Sequence, residues 1–188
     1  GLYYRGQDVF ALATEYTFEQ VAALLWLGDL GASDRLFAAN RLPDRLTRTT
    51  ARVKSLSANH LPPIHQLSVA LALAEVDDLA AYDLRPEPAA HAGARILALM
   101  IGVLTEFPAL PIAEALAAAW SPGIAGAAKL INAALIVCAD HELNASSFTA
   151  RVAASADANP YAAVAAGLAA LRGLKHGGSV EQAETLLR

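Results

Sequence analysis

Apolar residues recur along most of this chain every three or four positions, the spacing that places them on one face of an α-helix. Beyond the first ten residues, no segment shows the strict alternation of apolar and polar positions that a half-buried strand requires. The first ten residues themselves predict an extended or turn segment. The pattern therefore predicts an all-α fold.

Capping residues and prolines set the bounds of the predicted helices. Thr17 and Gln20 match a capping box, and Gly28 is typical of a helix end. The Pro62-Pro63 pair predicts a break, which is followed by a helix and then by a loop over residues 77–88. Besides the helix after Pro62-Pro63, the predicted helices cover residues 17–28, 33–40, 44–53, 89–107, 113–120, 125–141, 146–156, 161–171 and 179 onward.

The composition agrees with packed helices. Of the 188 residues, 55% are apolar and 17% charged, and a net charge of −4 gives no reason to expect nucleic-acid binding. No uninterrupted apolar run reaches the roughly 18–20 residues that a membrane span requires, so we expect buried helices and no membrane. The single cysteine, Cys138, is predicted to be a small buried side chain. One cysteine allows no internal disulfide, which favours a cytoplasmic protein.

The chain starts at Gly1 and stops at Arg188, inside a predicted helix. We therefore expect it to be a piece of a longer protein. So much apolar surface in 188 residues also favours burial by dimerisation.

Two histidines, 35 residues apart, stand in distinctive sequence contexts. His176 is followed by Gly177 and Gly178, between two predicted helices. The partial positive charge at the start of the second helix disfavours an imidazolium, so we expect a neutral ring. Such a ring can donate a hydrogen bond to a carbonyl oxygen that becomes negative as an enol forms. A solvent-exposed histidine in a flexible turn is the alternative.

His141 lies in the sequence D-H-E-L-N-A-S-S-F-T-A-R, residues 140–151, near the end of the predicted helix 125–141. Its neighbours Asp140 and Glu142 point to other faces of a helix, so their position does not pair them with it. Asn144 is a capping residue, and several hydroxyl side chains follow it. A polar helix end with ordinary capping is the alternative to a binding site.

These two segments together resemble the citrate synthase family. The likeness covers residues 140–151, the G-L-K-H-G-G turn at 173–178 and the stretches 153–155, 159–166 and 171–173 between them. It also holds near the start of the chain, in Tyr4-Arg5-Gly6 and in T-F-E-Q-V-A at residues 17–22. It is weaker over residues 30–125.

The resemblance implies an acyltransferase that condenses acetyl-CoA with oxaloacetate to citrate. It implies that His176 is catalytic and stabilises the enol of acetyl-CoA, while His141, with Asn144 beside it, binds oxaloacetate. It implies a homodimer with acetyl-CoA as co-substrate and no permanently bound cofactor. It divides the chain into a helical large domain, residues 1–172, and the start of a small domain, residues 173–188. A 2-methylcitrate synthase, which uses propionyl-CoA, has the same motifs.

Two departures from the family bear on activity. The family's Gly-Pro-Leu-His turn reads Gly173-Leu174-Lys175-His176 here, which removes a rigid proline. The family's aspartate base, its third histidine and its carboxylate-binding arginines all fall beyond residue 188, so we expect the 188 residues alone to be inactive. A domain that binds a ligand as a sensor, without turnover, is the alternative.

The remaining candidate residues carry weaker signals. His60 and His65 flank a proline pair without metal-binding neighbours, and His91 falls in the first turn of a predicted helix, so no metal site is expected. Arginines share one face of the predicted helix 44–53. That face is either solvated or a contact for an acidic partner or for the phosphates of coenzyme A; its members are Arg45, Arg48 and Arg52.

Overall fold

The computed structural model describes residues 1–37, 42–57, 61–140 and 142–177. A short antiparallel hairpin joins β1 (Tyr3–Tyr4) to β2 (Gln7–Asp8), with Tyr4 opposite Gln7. Ten α-helices lie within the described residues: α1 Val9–Glu15, α2 Phe18–Leu27, α3 Ser33–Phe37, α4 Asp44–Ser57, α5 Pro63–Asp77, α6 Pro86–Leu104, α7 Ile112–Trp120, α8 Ala127–Val137, α9 Ala145–Ser155 and α10 Pro160–Leu171. The predicted all-α fold is confirmed.

Local capping accounts for the helix ends that the sequence placed well. Thr17 and Gln20 form both bonds of the capping box at the start of α2, and Gly28 ends that helix with φ +79°. Asn159 caps α10, where its side-chain oxygen accepts the Ala162 N–H at 3.1 Å. Because these bonds join residues three apart in sequence, the sequence alone could predict them.

Several predicted bounds are wrong. The helix predicted over 44–53 extends to Ser57, and the helix predicted to end at residue 107 ends at Leu104. The helix predicted over 125–141 ends at Val137, because Cys138 leaves the helical conformation there. The helix predicted to start at residue 89 starts at Pro86, whose fixed φ suits a first turn. The predicted helix end at Asn40 and the helix from residue 179 lie outside the described residues.

The long helix α6 lies at the centre of the fold. It contacts α2, α3, α4, α5, α7 and α10. Its buried side chains, among them Ile96, Leu99 and Val103, join a core with Leu71 of α5 and Tyr161 of α10. A second core forms where the hairpin, α1 and α2 meet α8.

Within the described residues, α6 is also the one helix whose length and composition suffice to cross a membrane, with 19 residues and a mean hydropathy of 1.2. The core helices of globular proteins meet the same criteria. Its packing against six other helices supports that second interpretation.

Side-chain exposure shows that the predicted burial of Cys138 is wrong, and it also describes the surroundings of the predicted arginine face. Cys138 is exposed, not buried, and it lies one residue beyond the end of α8. On α4, Leu46 and Val53 face the core, which leaves the arginine face exposed to solvent. Arg45 donates to the carbonyl oxygen of Asp77 at 3.4 Å.

Candidate functional site

The N-terminal hairpin ties the ends of two helices together. Tyr4 is buried, and its Oη lies 2.9 Å from the carbonyl oxygen of Ile136 and 3.0 Å from that of Val137, at the end of α8. The same oxygen accepts the Asp140 N–H at 3.2 Å. Arg5 donates through Nε and Nη2 to the Leu25 carbonyl oxygen of α2. The hairpin therefore fixes where α8 ends and where the segment around residue 140 begins.

Helices α9 and α10 pack extensively against each other, and a glycine permits their close approach. A Cβ atom added at Gly167 would stand 3.2 Å from the carbonyl oxygen of Ser146 and 3.3 Å from Cβ of Ala150. The absent side chain lets the backbone of α10 approach the first turn of α9. This contact sets the position of Ser146 relative to the residues that follow α10.

A hydrogen-bond chain joins the two segments that the sequence singled out. Asn144 caps α9: its Oδ1 accepts the Ser147 N–H at 2.9 Å. The hydroxyl of Ser146 lies 2.9 Å from the same Oδ1 and 2.9 Å from Nε2 of His176. The structure thus brings Asn144 and His176 to either side of one serine, although 32 residues separate them in sequence.

His176 lies in a tight turn just after α10. Its backbone N–H donates to the Gly173 carbonyl oxygen at 2.9 Å, and its side chain is partly buried. Gly177 packs on the end of α10, where an added Cβ would be 2.6 Å from the Leu171 carbonyl oxygen. This contact is a structural reason for glycine at position 177. Its predicted role in letting amides approach a ligand stays a prediction.

His141 lies outside the described residues, so its predicted role as a substrate-binding residue stays a prediction. Its neighbours Asp140 and Glu142 are both exposed, and Glu142 has φ +59°. The Glu142 N–H donates to Oδ1 of Asp140 at 3.0 Å. Position 141 is three residues before Asn144 and five before Ser146, so it is close in sequence to the residues that contact His176.

A second polar cluster lies where α6 and α10 meet the end of α5, and no sequence pattern predicted it. Asp78 Oδ2 accepts from Arg95 Nε at 2.7 Å and from Tyr161 Oη at 2.9 Å. Burial, with the charge of Asp78 second, raises the pKa of Tyr161 above its usual value. We call these three residues the Asp78 cluster. It fixes the start of α10 to α6 and to the end of α5.

No three His, Cys, Asp or Glu side chains in the described part of the chain are grouped as metal ligands would be. His91 is the sixth residue of α6 rather than a first-turn residue, because that helix begins at Pro86. Its Nε2 lies 4.0 Å from Oε1 of Glu87.

The sequence as a whole matches one protein family. The family model described as "Citrate synthase, C-terminal domain" matches residues 1–188. The chain belongs to the citrate synthase family. The resemblance that the sequence motifs indicated is confirmed.

Curated relatives agree with this assignment. "Citrate synthase 2" of Bacillus subtilis (strain 168) is 30% identical over 202 residues, which cover 96% of this chain and 54% of the relative. "2-Methylcitrate synthase" of Mycobacterium tuberculosis is 29% identical over 199 residues, which cover 96% of this chain and 50% of the relative. The chain therefore spans about half the length of these curated relatives.

Solved structures of citrate synthases have the same fold. The enzyme from Pyrobaculum aerophilum superimposes with a TM-score of 0.69 at 26% identity over 96% of this chain and 52% of that one. The enzyme from Thermotoga maritima MSB8 gives a TM-score of 0.69 at 24% identity over 98% of this chain and 53% of that one, a likeness of fold alone.

The sequence analysis placed Ser146 among the hydroxyl residues near Asn144 but did not predict that Ser146 contacts His176. Nothing in the residues around Ser146 indicates that contact.

Proposed function

We propose that the protein carrying this sequence condenses an acyl-CoA with oxaloacetate, as a citrate synthase-type acyltransferase. His176 stabilises the enol of the acyl group, and His141 and Asn144 bind the 2-oxo acid. The hydrogen bond between Ser146 and His176 supports the proposal most, because it joins the two motif segments at hydrogen-bond distance.

The serine hydroxyl has one proton and two acceptors within reach. If Ser146 donates to Asn144 Oδ1, Nε2 of His176 must carry a hydrogen and donate to the serine. If Ser146 donates to Nε2 instead, the proton of a neutral imidazole is on Nδ1. Only the second arrangement leaves a neutral ring able to donate from Nδ1 to a substrate carbonyl oxygen. In the proposed reaction, Ser146 therefore positions the His176 ring and selects its tautomer.

Two acyl donors fit the relatives equally well. The citrate synthase and the 2-methylcitrate synthase differ by one percentage point in identity to this chain, so acetyl-CoA and propionyl-CoA are both candidates. They differ by one methylene, which a pocket distinguishes by about 1–3 kcal/mol. We propose acetyl-CoA as the substrate, with propionyl-CoA as the alternative, and no permanently bound cofactor.

The proposal also includes the oligomeric state and the domain organisation of the protein. We propose that the protein is a homodimer and that residues 1–172 belong to a large domain. The end of α10 at Leu171, followed by an exposed turn at Arg172 and Gly173, is a suitable place for a boundary. Because the chain spans about half of its relatives, we propose that the 188 residues alone lack turnover.

The test measures oxaloacetate-dependent release of free CoA thiol, from acetyl-CoA and from propionyl-CoA, by the complete polypeptide that carries this sequence. His176→Ala should lower kcat by about 10²–10³, the usual cost of removing one donor to a developing oxyanion. Ser146→Ala should lower kcat more than it changes KM, because the serine acts through the histidine. Ser155→Ala, an exposed serine at the other end of α9, is the matched control and should leave kcat unchanged.

The outcomes separate the candidate functions. Thiol release that depends on His176 supports the enzyme. Saturable oxaloacetate binding without thiol release from either acyl-CoA would refute it in favour of the sensor. If neither binding nor turnover occurs, both functions are wrong. Turnover that is the same in His176→Ala as in the wild type would refute the catalytic role of His176.

A further inference from the structure

Three large apolar side chains are exposed where the chain passes from α5 to α6. Val76 is in the last turn of α5, and Leu79 and Tyr82 follow at intervals of three residues; their exposed fractions are 75%, 72% and 59%. Residues Leu79–Tyr82 form a short 3-10 helix, in which side chains three apart lie on the same face. Ala81, between them, is buried and turns toward the core. Leu79 and the ring of Tyr82 therefore form, with Val76, an exposed apolar surface, which we call the Leu79 face.

The Asp78 cluster fixes the position of the Leu79 face. Asp78 immediately precedes Leu79, and its side chain accepts from Arg95 of α6 at 2.7 Å and from Tyr161 of α10 at 2.9 Å. A surface that is already ordered loses little conformational freedom when a partner covers it. An exposed apolar patch with charged residues at its edge is typical of protein–protein contacts. The Leu79 face therefore has the properties of an interaction surface.

Two opposite charges lie at the edge of this face. Arg45 of α4 reaches the end of α5, where its Nη1 donates to the Asp77 carbonyl oxygen at 3.4 Å. Both side chains are exposed, and neither forms an ion pair within the part of the chain that the structure describes. A surface with one positive and one negative group is complementary to a second copy of itself, because a two-fold axis can place each group opposite the other sign.

We propose that the Leu79 face is the contact between two copies of this chain. The inference rests on the homodimer proposed above and names the surface that forms it. The apolar side chains of the two copies pack on each other around a two-fold axis, and Arg45 of each copy pairs with Asp77 of the partner subunit. The face lies at the start of α10, whereas His176 follows the end of that helix, about 18 Å away for 12 residues. The contact therefore leaves the candidate site open to substrate.

Analytical ultracentrifugation of the complete polypeptide measures the dissociation constant of the dimer. Leu79→Asp places one charge in each half of the contact and should raise this constant about a hundredfold or more. Leu130→Asp is the matched control, because Leu130 is as exposed, at 73%, and lies on α8, which packs against α1, α2 and α7. It should dimerise as the wild type does. Both leucines are exposed in the protomer, so each variant should keep the helical circular dichroism of the wild type.

Two charge reversals test the pairing between Arg45 and Asp77. Arg45→Glu places two acids opposite each other at both ends of the contact, and Asp77→Arg places two bases there. Each variant alone should therefore be monomeric at concentrations where the wild type is a dimer. In an equimolar mixture, one copy of each variant has an attractive pair at both ends, so a mixed dimer should form. Contacts within a single chain cannot produce this result.

The outcomes separate this inference from the homodimer on which it rests. A wild type that is monomeric at every concentration refutes both, while thiol release by the same sample tests the enzyme independently. If Leu79→Asp dimerises as the wild type does, the homodimer stands and the Leu79 face is not its contact. If Leu79→Asp unfolds more easily but stays dimeric, another part of the complete polypeptide covers this face, which also overturns the inference. A mixture of the two charge variants that stays monomeric overturns it as well.

Discussion

Replacing Tyr161 with phenylalanine removes one hydroxyl from the Asp78 cluster and leaves the aromatic ring in place. Tyr161 is fully buried, and its Oη donates to Asp78 Oδ2 at 2.9 Å. Hydrogen bonds to charged acceptors contribute about 1.5–3 kcal/mol. Asp78 keeps its bond to Arg95 in the variant, so we expect the free energy of unfolding near pH 7 to fall by about 2 kcal/mol.

The same residue predicts how this difference depends on pH. Because burial and Asp78 raise the pKa of Tyr161 in the folded protein, the unfolded chain loses the tyrosine proton first, near its usual value of about 10. The stabilisation is fully present below that pH and is lost as the pH rises through the folded value. The slope is at most about 1.4 kcal/mol per pH unit. The phenylalanine variant lacks this slope.

Urea unfolding followed by circular dichroism measures both effects, with wild type and variant compared at each pH. Their difference in unfolding free energy should be largest at neutral pH and shrink above about pH 10. Tyr82→Phe is the control, because Tyr82 is an exposed tyrosine on the neighbouring 3-10 helix. The reasoning is refuted if Tyr161→Phe and Tyr82→Phe are equally stable. It is also refuted if the difference in unfolding free energy between the wild type and Tyr161→Phe grows with pH.

Two further substitutions test the supports of the candidate site. Tyr4→Phe should lower the unfolding free energy by about 1–3 kcal/mol and speed hydrogen exchange at the Asp140 amide, because the end of α8 loses its cap. The control is Tyr3→Phe at the neighbouring exposed tyrosine, which should change neither quantity. Gly167→Ala should destabilise by about 1–3 kcal/mol through the clash with α9 and alter the His176 ring signals in NMR spectra. A gain of about 1 kcal/mol, as helix propensity alone predicts, would contradict this account of Gly167.

Much of the fold could be predicted because the responsible bonds are local. The capping box of Thr17 and Gln20 and the cap at Asn159 each satisfy free backbone groups within one turn of the residue that supplies them. Helical periodicity is likewise a property of neighbours in sequence. These features needed no information from the rest of the chain.

The candidate site was predicted only in part. The motif segments around His141 and His176 were visible, and the structure brings Asn144 and His176 together through Ser146. The end of α8 was predicted wrongly because Tyr4, 132 residues before Ile136, caps it. A contact of that range depends on how α1, α2 and α8 pack, which no local pattern records.

The sequence by itself determined that the chain folds into helices, where most of them begin, and that it carries the motifs of citrate synthases. The tertiary structure alone decided which polar groups meet: Ser146 with His176, and Asp78 with Arg95 and Tyr161. Backbone hydrogen bonds within a helix join near neighbours, so the order of residues specifies them. Side-chain hydrogen bonds between helices form only after apolar faces pack and fix the distances between residues that are far apart in sequence.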